Sequence, residues 1–276
     1  DRFNLYPKET IIKNFKTKYQ EITIVAHDLK NNSKIDEQVI LNKKNDFIIK
    51  AYLNNIYQFQ VTLSYPHDQY HYEMINPVIK TFHHIQKVLI LGGGDGLPAK
   101  ELLNFEDQID SIDIIDIDKD WYNFSKNNLL MKEVNHNSLN NKKVNFINGN
   151  AFSETKKINK KYDLIIIDFP EGESLESLRI HSIEFTTTLK SLLSERGIIL
   201  SQEDTFTDKE SSQLIANTLI SSNLNTLFGS YNRGEEYLIQ FISFKDPTMI
   251  APFMETNKNR KIKYKKMKLQ GDIISY

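Results

Sequence analysis

The sequence predicts an α/β protein in which a small β-rich amino-terminal part precedes a mostly parallel sheet with helices on both faces. Three observations carry this. A short apolar run, Val88, Leu89, Ile90 and Leu91, feeds a loop holding Gly92, Gly93, Gly94 and Gly96, as at the first strand-to-helix turn of a doubly wound sheet. From Val88 onward, apolar runs alternate with longer helical stretches, the pattern of parallel strands joined by crossovers. Upstream of residue 85 the period is two, with turn residues between the runs.

Residues 19–63 read as β-structure. Residues 19–26 alternate imperfectly, and 46–53 place Phe47, Ile49, Ala51 and Leu53 on one face. Asn31, Asn32 and Ser33 supply one turn, and Asn54 and Asn55 another. His67 and His71 have the spacing of two metal ligands on one helical turn, but no third ligand presents itself and no metal is expected. Pro66 and Asp68 mark a helix start there, and His83 with His84 reads as a linker.

Strands are expected at 88–91, 112–117, 143–148, 163–168 and 197–201, with helices at 98–106, 119–130, 183–195 and 208–222. Pro98 suits a first helical turn because its φ is already fixed, Thr207 with Glu210 has the spacing of a capping box, and Trp121 reads as a helix-packing residue. Residues 224–230 and 237–244 form a closing antiparallel pair around Asn232, Arg233 and Gly234, which gives a Rossmann-like sheet of the methyltransferase type. The expected division is 1–84 as the β-rich domain with a gate segment, 85–250 as the catalytic domain and 251–276 as a basic tail. The seven lysines and arginines between 256 and 268 read as a solvated run.

The chain's 276 residues can bury a substantial core, and 35 basic against 36 acidic residues give no support for a nucleic-acid partner. The absence of cysteine removes disulfides, a thiolate nucleophile and cysteine-zinc sites. It accords with a cytoplasmic location, as a free enzyme or as the cytosolic part of a membrane-anchored protein. No apolar run approaches the ~20 residues that cross a bilayer, so the chain reads as soluble. It begins with Asp1 rather than methionine, which leaves a preceding anchor open.

The chemistry starts at Asp95. Pyrophosphate cradles rely on backbone N–H groups and a positive helix terminus, so a carboxylate inside the glycine loop points to a nucleoside that carries positive charge. S-Adenosylmethionine and its decarboxylated form are such nucleosides. Asp116, roughly twenty residues on at the end of the next apolar run, suits a ribose hydroxyl pair. Asp168 and Glu171 follow the fourth strand, where paired acids can hold an amine, one taking its proton and the other binding a remote ammonium. Asp95, Asp116, Asp168 and Glu171 thus line one predicted edge as a pocket for cations.

With these residues assembled, the chain resembles the spermidine synthase, or polyamine aminopropyltransferase, family. Tyr19 with Gln20, residues 53–58, the 92–96 glycine loop, Asp116 with Ile117 and Asp118, residues 168–171 and Ser201 with Gln202 occur in the family's order. Leu53 to Asn55, Asp168 with Phe169 and Pro170, and Gly234 with Glu235 look closest to a bacterial branch whose full-length members can carry a membrane anchor. The resemblance implies a homodimer without metal or resident cofactor, decarboxylated S-adenosylmethionine as co-substrate, and a diamine or polyamine acceptor such as putrescine. It implies that Gln58 and Asp116 hold the nucleoside, Asp95 binds the aminopropyl ammonium, Asp168 deprotonates the amine, and Glu171 and Gln202 orient the acceptor's far end. The amine then displaces methylthioadenosine in one in-line step.

Some positions depart from the family's pattern. His71-Tyr72-Glu73 stands for its Tyr-His-Glu near the gate, and Asn150 stands where an aspartate receives the adenine amino group, a bond the amide oxygen can also accept. His181 replaces a tyrosine near the acceptor, and Glu171 replaces a second aspartate. Two other readings stay open. One is an S-adenosylmethionine-dependent methyltransferase, whose donor carboxylate Asp95 disfavours. The other is a non-catalytic nucleoside-binding regulatory homologue.

Overall fold

The computed structural model describes residues 8–32, 35–64, 70–169, 179–203, 209–233 and 236–272. Two sheets organise it. In the first, β1 (Glu9–Lys16), β2 (Glu21–Asp28), β3 (Phe47–Leu53) and β4 (Ile56–Thr62) form an antiparallel meander in sequence order. β3 alternates strictly, burying Phe47, Ile49, Ala51 and Leu53 as its period predicts. The β3–β4 hairpin turns on Asn54 and Asn55, at φ 50° and 66°. Two consecutive left-handed residues match the right-handed twist of the flanking strands, and asparagine tolerates that conformation.

The second sheet contains β5 (Lys87–Gly92), β6 (Ser111–Asp116), β7 (Val144–Asn148), β8 (Tyr162–Asp168), β9 (Leu193–Glu203), β10 (Asn225–Arg233), β11 (Glu236–Phe244) and β12 (Lys263–Lys266), in the order β12-β10-β11-β9-β8-β5-β6-β7. β5 to β9 run parallel, and β10, β11 and β12 add antiparallel neighbours. The strand order reverses at β5, which has β6 on one side and β8 on the other. Open sheets of this kind bind ligands at that reversal, beyond the carboxyl ends of the strands. Gly92 and Asp168 are partners in the β5–β8 register, which brings the glycine loop beside the end of β8.

Among the described helices are α1 (Glu37–Asn42), α2 (Tyr70–Thr81), α3 (Leu97–Leu103), α4 (Lys119–Asn127), α5 (Leu129–Val134), α6 (Ala151–Glu154), α7 (Ile183–Leu192), α8 (Lys209–Ser221) and α9 (Ile250–Asn257). Met74, Ile75, Val78 and Ile79 of α2 join Val88, Ile90 and Ile112 in one core. α2 therefore packs against the large sheet, although the expected boundary near residue 84 places it with the small one. The small sheet closes its own core against Leu97, Trp121, Leu130, Met131 and Val134, which makes Trp121 the packing residue expected.

Other departures have local causes. The helix expected over 119–130 breaks at Asn128, whose extended backbone (φ −67°, ψ 135°) lets its side chain accept from the Met131 N–H and cap a second helix. The helix expected over 183–195 ends at Leu192, because Leu193 already pairs in β9. The basic segment expected as a solvated tail is a correction: Leu227 to Ser230 of β10 pair with Lys263–Lys266, and the Arg260 guanidinium meets Glu73 of α2 at 3.0 Å. Its lysines face solvent while Tyr264 packs on Phe253, so pairing, not composition, makes the strand. Pro66, His67, Asp68, Glu171, Thr207 and Gly234 lie outside the described residues.

Candidate active site

The site grows from three strand ends. Asp116 closes β6, Asp168 closes β8, and Asp95 sits in the loop after β5. They border a cleft of about 200 Å³ whose wall also includes Gly92, Gly93, Gly94, Asn150, Gln58 and Tyr70. Two of the loop's glycines make room for aspartates. Gly92, at φ 84°, leaves no room for a Cβ against the Asp168 carbonyl, and a Cβ on Gly94 would lie 2.6 Å from Asp116 Oδ2. Gly94 N–H instead donates to that oxygen at 3.0 Å. Gly96, also left-handed, caps α3, and Pro98 stands in that helix's first turn as its fixed φ allows.

Asp95 and Asp116 are held by the backbone. Asp116 accepts the Asp118 N–H on Oδ1 at 2.8 Å, and Asp95 accepts the Leu97 N–H at 2.8 Å. Burial, together with the nearby Asp168 charge, pushes the Asp95 carboxyl up to about 7. Burial likewise pushes Asp116 up to about 6, against the two backbone N–H bonds that favour its charged form. Carboxylates perturbed in this way beside a cleft mark a candidate functional site.

Asp168 is held by two rings. Tyr70 donates its hydroxyl to Oδ1 at 2.7 Å, while His71 Nε2 lies 3.0 Å from Oδ1 and 3.1 Å from Oδ2. The two rings overlap at a centroid separation of 3.8 Å, and His71 is wholly buried. Burial alone would lower the His71 imidazole, but the charge and hydrogen bond of Asp168, with Asp95 and Glu101 behind it, raise it. The ring that joins His71 on Asp168 is thus Tyr70; Tyr72 is not among the described residues lining the cleft. Sequence reading passed over Tyr70, although its adjacency to His71 at the start of α2 is the signal that could have found it.

Of the remaining expected residues, Gln58 and Asn150 reach the cleft, and Gln202 and His181 are not in its described lining. Gln58 lines the cleft and donates to the Ile56 carbonyl at 3.2 Å. Asn150 lines it too, with its Oδ1 accepting the Phe152 N–H at 2.9 Å as the cap of α6. Gln202 follows Ser201, the last β9 residue paired with β8, and its Oε1 is buried without a hydrogen-bond partner among the described residues. His181 lies apart from the cleft's described lining, in a small apolar cavity with Ile167, Leu189 and Ile199, and that burial pushes its imidazole down to about 4. Glu171 and His67 cannot be placed, since both lie outside the described residues. Among those residues, no three metal-ligating side chains converge.

The small sheet supplies the cleft's other wall. Thr17 Oγ1 and Gln20 Nε2 both donate to Asp118 Oδ2, at 2.6 and 2.8 Å, while Asp118 Oδ1 caps α4 through the Trp121 N–H at 3.1 Å. Asp118 therefore ties the two sheets together two residues from Asp116. Tyr19, Gln20, Phe169 and Arg179 also line the cleft.

Comparison with known proteins gives a family and a fold. Residues 67–228 match the spermine/spermidine synthase domain. Polyamine aminopropyltransferase 2 of Aquifex aeolicus is 36% identical over 143 residues, covering 51% of this chain and 29% of that protein. The polyamine aminopropyltransferase of Oceanobacillus iheyensis is 27% identical over 223 residues, covering 80% of this chain and 42% of that protein. The chain thus spans between 29% and 42% of the length of these relatives. The crystal structure of spermidine synthase from Thermotoga maritima is similar over 91% of this chain and 78% of its own, with a TM-score of 0.69 at 17% identity. A spermidine synthase in complex with the transition state analogue AdoDATO covers the same shares, with a TM-score of 0.68 at 17% identity. At that identity the structural likeness is one of fold.

Proposed function

The chain belongs to the spermine/spermidine synthase family, and from that premise we propose that it transfers the aminopropyl group of decarboxylated S-adenosylmethionine to a diamine such as putrescine. The observation that carries this reading is the convergence of Asp95, Asp116 and Asp168 on one cleft at the point where the strand order reverses. Asp116 can accept from the ribose hydroxyls in addition to its two backbone donors, since a carboxylate offers about four acceptor sites. Asp95 meets the aminopropyl ammonium, and Gln58 and Asn150 complete the nucleoside's surroundings.

Asp168 is the base. The acceptor arrives as an ammonium, without a lone pair, and a positioned carboxylate takes its proton. The freed nitrogen attacks the propyl carbon bonded to the sulfonium; the C–N bond forms, the C–S bond breaks, and its electron pair stays on sulfur. The products are neutral methylthioadenosine and a secondary ammonium. Tyr70 and His71 fix the Asp168 carboxylate in the plane the amine must approach, and holding the partners in line supplies much of the acceleration. The buried Gln202 oxygen gives the acceptor's far ammonium a partner. The same reading takes a homodimer and a cytoplasmic setting, with any membrane attachment lying in segments beyond this chain.

The test is incubation of the protein with decarboxylated or intact S-adenosylmethionine and a panel of diamines, with products identified by mass spectrometry. Methylthioadenosine with an aminopropylated amine is expected. S-Adenosylhomocysteine with a methylated amine would overturn the reading, and Arg179 in the cleft wall, a partner for the intact donor's carboxylate, is the reason to include that arm. Asp168→Asn should lower turnover by about two to four orders of magnitude while methylthioadenosine binding persists.

A further inference from the structure

His71 stands behind the cleft wall, against Asp168 and outside the cleft's described lining. Its ring is wholly buried and bridges both oxygens of Asp168, at 3.0 and 3.1 Å. Tyr70 lies beside it on α2, and the charged groups that act on it are Asp168 at the end of β8, Asp95 in the loop after β5 and the buried Glu101 on α3, a helix packed against α2. Carboxylates crowded together and shielded from water cannot all stay charged unless something positive joins them. An imidazole can supply that charge.

We propose that His71 is the resident cation of the substrate-free cleft, and that it releases its proton when a cationic substrate takes over that role. This inference rests on the aminopropyl-transfer reading. Its second support is the far side of the ring, where Nδ1 is buried with no hydrogen-bond partner among the described residues. A proton at Nδ1 is held by the field of the carboxylates rather than by an acceptor. An ammonium seated on Asp95 or Asp168 cancels that field, and burial then drives the imidazolium back to neutral. The neutral ring keeps its Nε2–H on Asp168, so the base stays oriented while the cleft exchanges one cation for another. After transfer, departure of the polyamine lets His71 recover its proton. His71 is therefore a positioning residue that also makes the empty cleft selective, because a neutral nucleoside cannot displace the proton.

Calorimetric titration at pH 8, above the range in which the Asp95 carboxyl titrates, in buffers of different ionisation enthalpy, counts the protons released on binding. Decarboxylated S-adenosylmethionine should release more than methylthioadenosine, which lacks the ammonium, and His71→Gln should lose that excess while still binding methylthioadenosine within a few-fold of wild type. Persistence of the excess in His71→Gln would mean that the proton leaves Asp95, and would overturn the proposal; so would equal release by the two ligands. If His71→Gln fails to fold, NMR of the wild-type imidazoles decides: an imidazolium signal that turns neutral on adding the donor supports the proposal, and an unchanged ring refutes it. Product formation by wild type is read separately, so its failure would strike the aminopropyl-transfer reading and not the proton count.

Discussion

Asp95→Asn separates the donor's charge from its nucleoside. The Asn oxygen can still accept the Leu97 N–H that Asp95 accepts at 2.8 Å, so the loop should keep its shape while the negative charge is lost. A hydrogen bond between charged partners contributes about 1.5–3 kcal/mol, which at roughly 1.4 kcal/mol per tenfold predicts a donor bound roughly 10- to 150-fold more weakly. Methylthioadenosine carries no aminopropyl ammonium, and its affinity should hardly move. Calorimetry with both ligands gives the ratio. Equal losses would refute the assignment of Asp95 to the ammonium. The pH dependence has a definite sign: burial and the Asp168 charge raise Asp95 to about 7, so the donor meets a carboxylate above that pH and a neutral acid below it. Donor affinity should fall as pH drops through neutrality, and the donor-to-methylthioadenosine ratio should depend less on pH in the variant. Stability carries the opposite signature. An acid whose pKa folding raises destabilises the native state progressively above its unfolded value, and fully above its folded one. Asp95→Asn should therefore raise the Tm of the ligand-free protein more at pH 8 than at pH 5.

Gly92→Ala should damage both fold and turnover, because the added Cβ runs into the Asp168 carbonyl at a residue held at φ 84°; strained left-handed positions cost about 1–3 kcal/mol, and an unchanged Tm with full turnover would contradict this. Asp118→Ala removes the cap of α4, worth about 1 kcal/mol. It also removes the acceptor of Thr17 and Gln20, worth about 1.5–3 kcal/mol more for a charged partner. Denaturant unfolding should show a loss larger than a cap alone explains, and a loss limited to the cap would mean that the tie between the sheets contributes nothing.

What could be read from the chain follows what each residue's neighbours in sequence can know. β5, β6 and β8 are legible because strands buried on both faces must be apolar throughout; Val88, Leu89, Ile90 and Leu91 are all fully buried. β1 is harder, since as an edge strand it leaves Ile11 41% exposed, and β12 is illegible, since three of its four residues are lysine. Asp95, Asp116 and Asp168 are legible because carboxylates at successive strand ends must share an edge. Tyr70 is not, because its meeting with Asp168 depends on how α2 lies across the large sheet. The glycines were legible as a turn but not in their role, which is to make room for two aspartates rather than for a ligand alone.

On the proposed reading, the arrangement makes the cleft discriminate by charge more than by shape. Register fixes Gly92 opposite Asp168, and the same loop carries Asp95, so the acids are brought together by the sheet itself and cannot separate to relieve their repulsion. Burial first, and the neighbouring carboxylates after it, raise the pKa values of Asp95 and Asp116. A ligand that brings two or more ammonium groups relieves the repulsion, a neutral nucleoside leaves it, and a ligand carboxylate adds to it. Substrate binding and relief of the resting site's repulsion are then one event, which favours a polyamine acceptor and a decarboxylated donor on electrostatic grounds before any contact to the adenine is considered.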